Sequence, residues 1–116
     1  MLPRHMRLRR RKDFLACYQQ GRAVAQAHLV MHVRPQPSGR RFGFVVGKKV
    51  GKATVRNRVK RRLRAACREC LPYLHEGFDA VFVARKTSAE ANYRQLLHEM
   101  QNLFRSARLW QNSVEP

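Results

Sequence analysis

Carboxylates are what this sequence has least of. Its 116 residues carry 7 Asp and Glu against 25 Lys and Arg, a formal net charge of +18 at pH 7. The 55 residues between Asp13 and Glu69 contain no acid at all. A self-sufficient nuclease needs a general acid/base set or a carboxylate metal cluster, and acids this sparse argue against one. His28 and His32 share a strand face, but no Asp or Glu near them is expected to orient an imidazole or hold a metal. Cysteine is scarce too. Three residues, an odd count, fit a reducing cytoplasm better than a disulfide framework. Cys67 and Cys70 form one C-x-x-C with His75 nearby, but a structural zinc needs four ligands. The two thiols fall on the apolar side of a helical pattern and read as buried. No apolar run approaches the ~20 residues of a membrane span. The basic stretch Arg4–Lys12 leads into Asp13-Phe14-Leu15 rather than an apolar h-region, so no signal peptide is expected.

What is present is a core and a polyanion-binding surface. Hydrophobic residues make up 44% of the chain, with 6 Phe, 3 Tyr and 1 Trp. That suits one domain spanning residues 1–116, burying roughly 65% of its unfolded surface. Residues 1–8 stand apart as a flexible basic arm, with Met1–Met6 open between ordered contact and disorder. Area scaling puts about one net positive charge on every ~360 Å² of folded surface, so the compact state is strained by self-repulsion until an anion relieves it. Arginine dominates, 19 residues to 6 lysines, and its planar fork suits bidentate phosphate contacts and base stacking.

Periodicity predicts the elements. Lys12–Gln20 is helical, with Phe14 and Tyr18 one turn apart and Gly21 as the stop. Ala23–Arg34 is β-like in its second half, with Leu29, Met31 and Val33 facing one way and His28, Val30, His32 and Arg34 the other. Pro35–Gly39 is a turn, and Arg41–Gly47 alternates bulky and nearly bare positions. A helix runs from Thr54 as N-cap to Cys70. Asp79–Arg85 is a strand, and Thr87 with Glu90 resembles a capping box opening a C-terminal helix. There Tyr93, Leu96, Leu97, Met100, Leu103, Phe104 and Ala107 form an apolar core stripe. The element order indicates an α+β layer structure, helices packed on one sheet, with a βαβ crossover that generic rules make right-handed.

The densest signal is Lys48–Arg64, where nine of seventeen residues are basic and none is acidic. On a helix, Val55, Val59, Leu63, Ala66, Cys67 and Cys70 fall within about 120° of arc. Asn57, Arg58, Lys60, Arg61, Arg62, Arg64 and Arg68 cover most of the rest. A solvated face would carry Glu partners at i±4, and this one has none before Glu69. The run therefore reads as a nucleic-acid contact.

The block Gly47-Lys48-Lys49-Val50-Gly51-Lys52-Ala53-Thr54-Val55-Arg56-Asn57-Arg58-Val59-Lys60-Arg61 closely resembles the signature of the bacterial ribonuclease P protein component. Leu8, Lys12, Phe14 and Tyr18 before it, and Asp79–Lys86 after it, extend the resemblance over most of the chain. The resemblance implies a single-domain α/β sandwich with a small, mostly antiparallel sheet and a left-handed crossover. It implies the protein subunit of an RNA-catalysed endonuclease that, with Mg²⁺ used by the RNA, removes the 5′ leader from precursor tRNA. No catalytic residue and no metal site are expected in the protein. Expected partners are the catalytic RNA, one protein per RNA subunit, and precursor tRNA; no membrane is expected. Carried over residue by residue, Lys48, Lys49, Lys52, Arg56, Asn57, Arg58, Lys60, Arg61 and Arg64 would touch the RNA subunit. Lys12, Phe14, Tyr18 and His32 would hold the leader, His32 standing where family members often carry tyrosine. An ordinary imidazole titrates near ~6.5, so leader binding is expected to tighten between about pH 8 and 6.

The residues themselves leave alternatives open. Phe14 and Tyr18 serve equally as the core of an amphipathic helix, and a ribosomal or other structural RNA-binding protein would use the same physics without linked catalysis. Either way the basic surface is strained in isolation. Sulfate or short RNA should therefore raise the melting temperature of the free protein, as thermal unfolding across an anion series would record.

Overall fold

The computed structural model describes residues 2–111. It has three helices, α1 (Arg11–Gln20), α2 (Ala53–Cys70) and α3 (Tyr93–Ser106), and four strands, β1 (Arg22–Ala25), β2 (Leu29–Pro35), β3 (Arg40–Val45) and β4 (Phe78–Ala84). The strands form one sheet in the order β1-β2-β4-β3. β1 with β2 and β2 with β4 are antiparallel, while β3 runs parallel to β4 and is joined to it through α2. This is the expected α+β architecture with a mostly antiparallel sheet.

Period-two alternation sorts the layers. Leu29, Met31 and Val33 of β2 are buried, and join Phe42, Phe82 and the apolar sides of α2 and α3 in the main core. From α2 come Val59, Leu63, Ala66, Cys67 and Cys70, while Val55, the remaining position of the arc read from the sequence, is half-buried against them. Phe104 of α3 meets Phe42, Phe78 and Phe82 with ring centroids 6.3, 6.4 and 5.4 Å away. The opposite sheet face takes α1, where Cys17 packs with Leu8 and Val81. Burial pushes the Cys67 thiol well up and the Cys70 thiol to about 12. Both are therefore packing groups rather than thiolates, as their helical positions suggested.

Four local expectations need correction. The β-like stretch Ala23–Arg34 is two strands, β1 and β2, closed by Gln26 N–H donating to the Leu29 carbonyl at 2.8 Å. Gln26-Ala27-His28 holds no turn residue to announce the break; Glu99 of α3 stabilises it by accepting the His28 N–H at 2.8 Å. The second helix begins at Ala53 with Lys52 in the cap position, so Thr54 lies inside it. Thr87 and Glu90 form no capping box. They lie in a 3₁₀ turn, and the box belongs to Asn92 and Gln95 at the start of α3. Residues 2–8 are packed rather than a free arm. Leu2 and Leu8 are buried, and Leu8 N–H donates to the Phe42 carbonyl at 2.9 Å along the outer edge of β3.

Gly43 makes the α1 face possible. A Cβ there would lie 2.5 Å from the Phe14 ring, so the bare position lets α1 lie down on the sheet. Among the described residues no helix is long and apolar enough to cross a membrane.

The layering gives a direct stability test. Leu63→Ala should cost about 2–4 kcal/mol in chemical denaturation, because Leu63 is fully buried between α2 and the sheet. Arg61→Ala, on the exposed side of the same helix, should change stability by less than about 0.5 kcal/mol.

Candidate nucleic-acid interface

With its apolar arc buried, α2 turns its remaining positions outward. Asn57, Arg58, Arg61 and Arg64 are exposed, and Arg56 and Lys60 are half-buried. Lys48 and Lys49 are exposed on a 3₁₀ turn just before the helix, and Lys52 is exposed at its cap. Gly51 joins turn to helix at φ 153°, a region side chains avoid, and an added Cβ would also press on Val55 at 3.1 Å. Arg56 braces the junction by donating its Nε–H to the Gly51 carbonyl at 3.1 Å. Arg62 is committed to the fold, since its guanidinium donates to the Ala91 carbonyl at 2.8 Å. Glu69, the first acid after Asp13, is held by the Tyr93 hydroxyl at 2.5 Å. All nine residues carried over to RNA-subunit contact thus lie on one helix and the turn leading into it.

The four residues expected at the leader do not form one cluster. Tyr18 of α1 and His32 of β2 meet edge to face, with centroids 4.8 Å apart and planes at 85°. Tyr18 remains 38% exposed, enough to offer ring surface to a ligand. Burial lowers the His32 pKa below the ordinary imidazole value and raises that of Tyr18. Half-buried Val45 and Val83 lie on the same sheet face. Phe14 sits farther along α1 over Gly43. Lys12 lines a separate recess of about 400 Å³ with Arg4, Arg7, Arg9, Asp13 and Arg41. The basic N-terminal run was visible in the sequence, but its folding back to build this recess with β3 was not.

An ionic cluster also escaped sequence reading. Asp79 of β4 is fully buried. Its Oδ2 accepts from Arg41 at 2.8 Å and Arg34 at 3.1 Å, and its Oδ1 from Gln36 at 2.7 Å and Arg41 at 3.0 Å. The same two arginines reach Asp13 of α1, at 3.4 and 3.8 Å. The hydrogen bonds that Arg41 donates to Asp79 are the leading reason its pKa is raised. These carboxylates are occupied by guanidinium groups and do not fit a divalent cation. Among the described residues no group of three or more His, Cys, Asp and Glu could hold a metal. The expectation that no acid stands near His28 fails: Glu99 Oε2 lies 3.7 Å from its Nε2, brought there by α3 from 71 residues away.

Comparisons with known proteins find the same family by sequence and the same fold by structure. The Ribonuclease P family model matches residues 2–108. The ribonuclease P protein component of Symbiobacterium thermophilum is 42% identical over 107 residues, covering 90% of this chain and 93% of its own length. That of a Cyanothece species is 39% identical over 127 residues, covering 94% and 97%. The RNase P protein of Thermotoga maritima superposes with a TM-score of 0.77 at 33% identity, covering 85% of this chain and 96% of its own. The Staphylococcus aureus protein, at 23% identity, shares the fold with a TM-score of 0.83 over 91% and 98%.

The α2 surface makes a quantitative prediction. Arg58→Ala, Arg61→Ala and Arg64→Ala should each lower the slope of log K against log[salt] for RNA binding by about 0.7–0.9. Arg62→Ala should change it less, because that guanidinium is already spent on Ala91. Filter binding across a salt series reads both.

Proposed function

The chain belongs to the bacterial ribonuclease P protein component family, and on that premise we propose that it binds the catalytic RNA along α2 and the 5′ leader of precursor tRNA against the α1 face of the sheet. As a member it is the protein subunit of a ribonucleoprotein enzyme of tRNA processing, and its partner is the RNase P RNA. The observation that carries the reading is the basic face of α2, acid-free from Ala53 to Arg68, with its apolar side buried and most of its guanidinium groups turned out. Lys48, Lys49, Lys52, Arg56, Asn57, Arg58, Lys60, Arg61 and Arg64 contact RNA-subunit phosphates. Tyr18 and His32 offer rings on which single-stranded leader bases stack, and Phe14 and Lys12 extend that path toward the N-terminus.

In this proposal Mg²⁺ sits on the RNA, where it serves hydrolysis of one phosphodiester and leaves a 5′-phosphate on the mature tRNA. The protein contributes charge and shape. Its cations offset repulsion between the two RNAs, and its leader contacts favour precursor over mature tRNA. One protein serves each RNA subunit, in the cytoplasm.

Reconstitution with the cognate RNA subunit tests the reading. The complex should release the leader at low Mg²⁺, where the RNA alone is weak, and the gap should narrow at high Mg²⁺. Cleavage by the protein alone would overturn it.

His32 supplies a finer test. Burial holds its pKa below the ordinary imidazole value, so the ring gains charge later than a free imidazole as pH falls. Leader phosphates favour the protonated form, so binding draws a proton. The preference for precursor over mature tRNA should rise as pH falls, in a lower window than an unperturbed imidazole would give. His32→Tyr should flatten the rise while retaining stacking. Matching profiles for the two proteins would remove His32 from the leader path.

A further inference from the structure

Beyond the point where the N-terminal segment covers the edge of β3, a cavity of about 210 Å³ opens between that segment, Phe14 of α1 and Arg64 of α2. Neither the α2 surface nor the Tyr18–His32 contact accounts for it. Leu2 and Leu8 close it with apolar surface, and two half-buried rings, Phe14 and Phe44, line it. Phe44 is fixed by stacking on Phe82, with centroids 5.9 Å apart and planes at 11°. Phe14 is fixed over Gly43. Arg7 and Arg64, both exposed, complete the lining.

The backbone adds directional chemistry. Leu8 N–H takes the outward Phe42 carbonyl at 2.9 Å. Alternation along β3 turns the Phe44 N–H and C=O to that same outer edge, past the Arg7–Phe42 bridge. Fixed rings, an adjacent backbone donor and acceptor, and two guanidinium groups together match a nucleotide: a flat base to stack, polar base edges to pair, and a phosphate to neutralise.

We propose that this cavity receives one unpaired nucleotide of the RNA subunit, its base against Phe44 and its phosphate between Arg7 and Arg64. The inference rests on the reading that the RNA subunit follows α2. Arg56, Lys60 and Arg64 lie at i, i+4 and i+8, one row along the helix, so a strand tracking that row arrives at the cavity mouth. Charge selects the same occupant, because the lining carries two cations and no acid.

The test uses the complex reconstituted with the full RNA subunit. Phe44→Leu keeps apolar volume against Phe82 but removes the stacking ring. It should leave the melting temperature within a few degrees and weaken RNA-subunit binding about tenfold. Base-specific chemical probing should show one RNA nucleotide protected by the wild-type protein and reactive with the variant. Arg7→Gln, at an exposed position, should expose the same nucleotide, which keeps the test decisive if Phe44→Leu folds poorly. Unchanged RNA-subunit affinity and probing with both variants would overturn the proposal. So would a loss confined to the preference for precursor over mature tRNA, which would make the occupant a leader nucleotide. Arg58→Ala separates the two levels: if it too leaves RNA-subunit affinity unchanged, the α2 reading itself has failed.

Discussion

A carboxylate with no exposed surface holds the α1 face of this protein together. Asp79 lies near the start of the inner strand β4, and both its oxygens are occupied, by Arg34 from β2, Arg41 from β3 and Gln36 from the loop between them. A buried charge is tolerated only when its partners replace the water it lost, and removing one partner of such a pair typically costs about 3–5 kcal/mol. The two arginines also reach Asp13, so one ionic cluster ties three strands to α1. In a chain of +18, four of the seven acids are committed to the fold. Asp79, Asp13 and Glu99 join elements distant in sequence, and Glu69 holds Tyr93.

That economy shapes the outer surface. With these acids turned to internal partners, the cations of α2 are left without carboxylates at helical spacing. The helix core and the helix charge are two sides of one pattern: Val59 and Leu63 buried, Arg58 and Arg61 outside. The N-terminal segment then links the sheet's two sides. Leu8 joins the edge of β3, Arg7 reaches a cavity shared with Arg64, and Arg4 and Arg9 meet Lys12 in the basic recess. A proposed leader path and a proposed RNA-subunit surface thus lie on opposite faces of one thin sheet and approach each other around its free edge.

Local pattern carried much of this. Leu29, Met31 and Val33 alternate with polar neighbours, and the α3 stripe repeats at helical spacing, so each element announced its own inward face. The block from Gly47 to Arg61 was specific enough to indicate the family. The misses share a cause. The turn at Gln26–His28 holds no Gly, Pro or Asn, and is supported by a carboxylate from α3. The Thr87–Glu90 box had the right residues, but a 3₁₀ turn took that segment and Asn92 with Gln95 took the cap.

What the sequence determined by itself was everything set by neighbours within about one helical turn or one strand: element types, buried faces, the charge of α2 and the kind of partner that charge demands. Those properties depend on periodicity and composition, which survive without knowing where the rest of the chain goes. Only the tertiary structure decided that Asp79 would gather Arg34 and Arg41, that Glu99 would close the first hairpin, and that residues 2–8 would complete the β3 edge and wall a cavity with Phe44 and Arg64. Each of these joins groups brought together by sheet order and helix packing, and burial then fixes them because an unpaired charge or an uncovered apolar side chain costs more than ordering the segment that covers it.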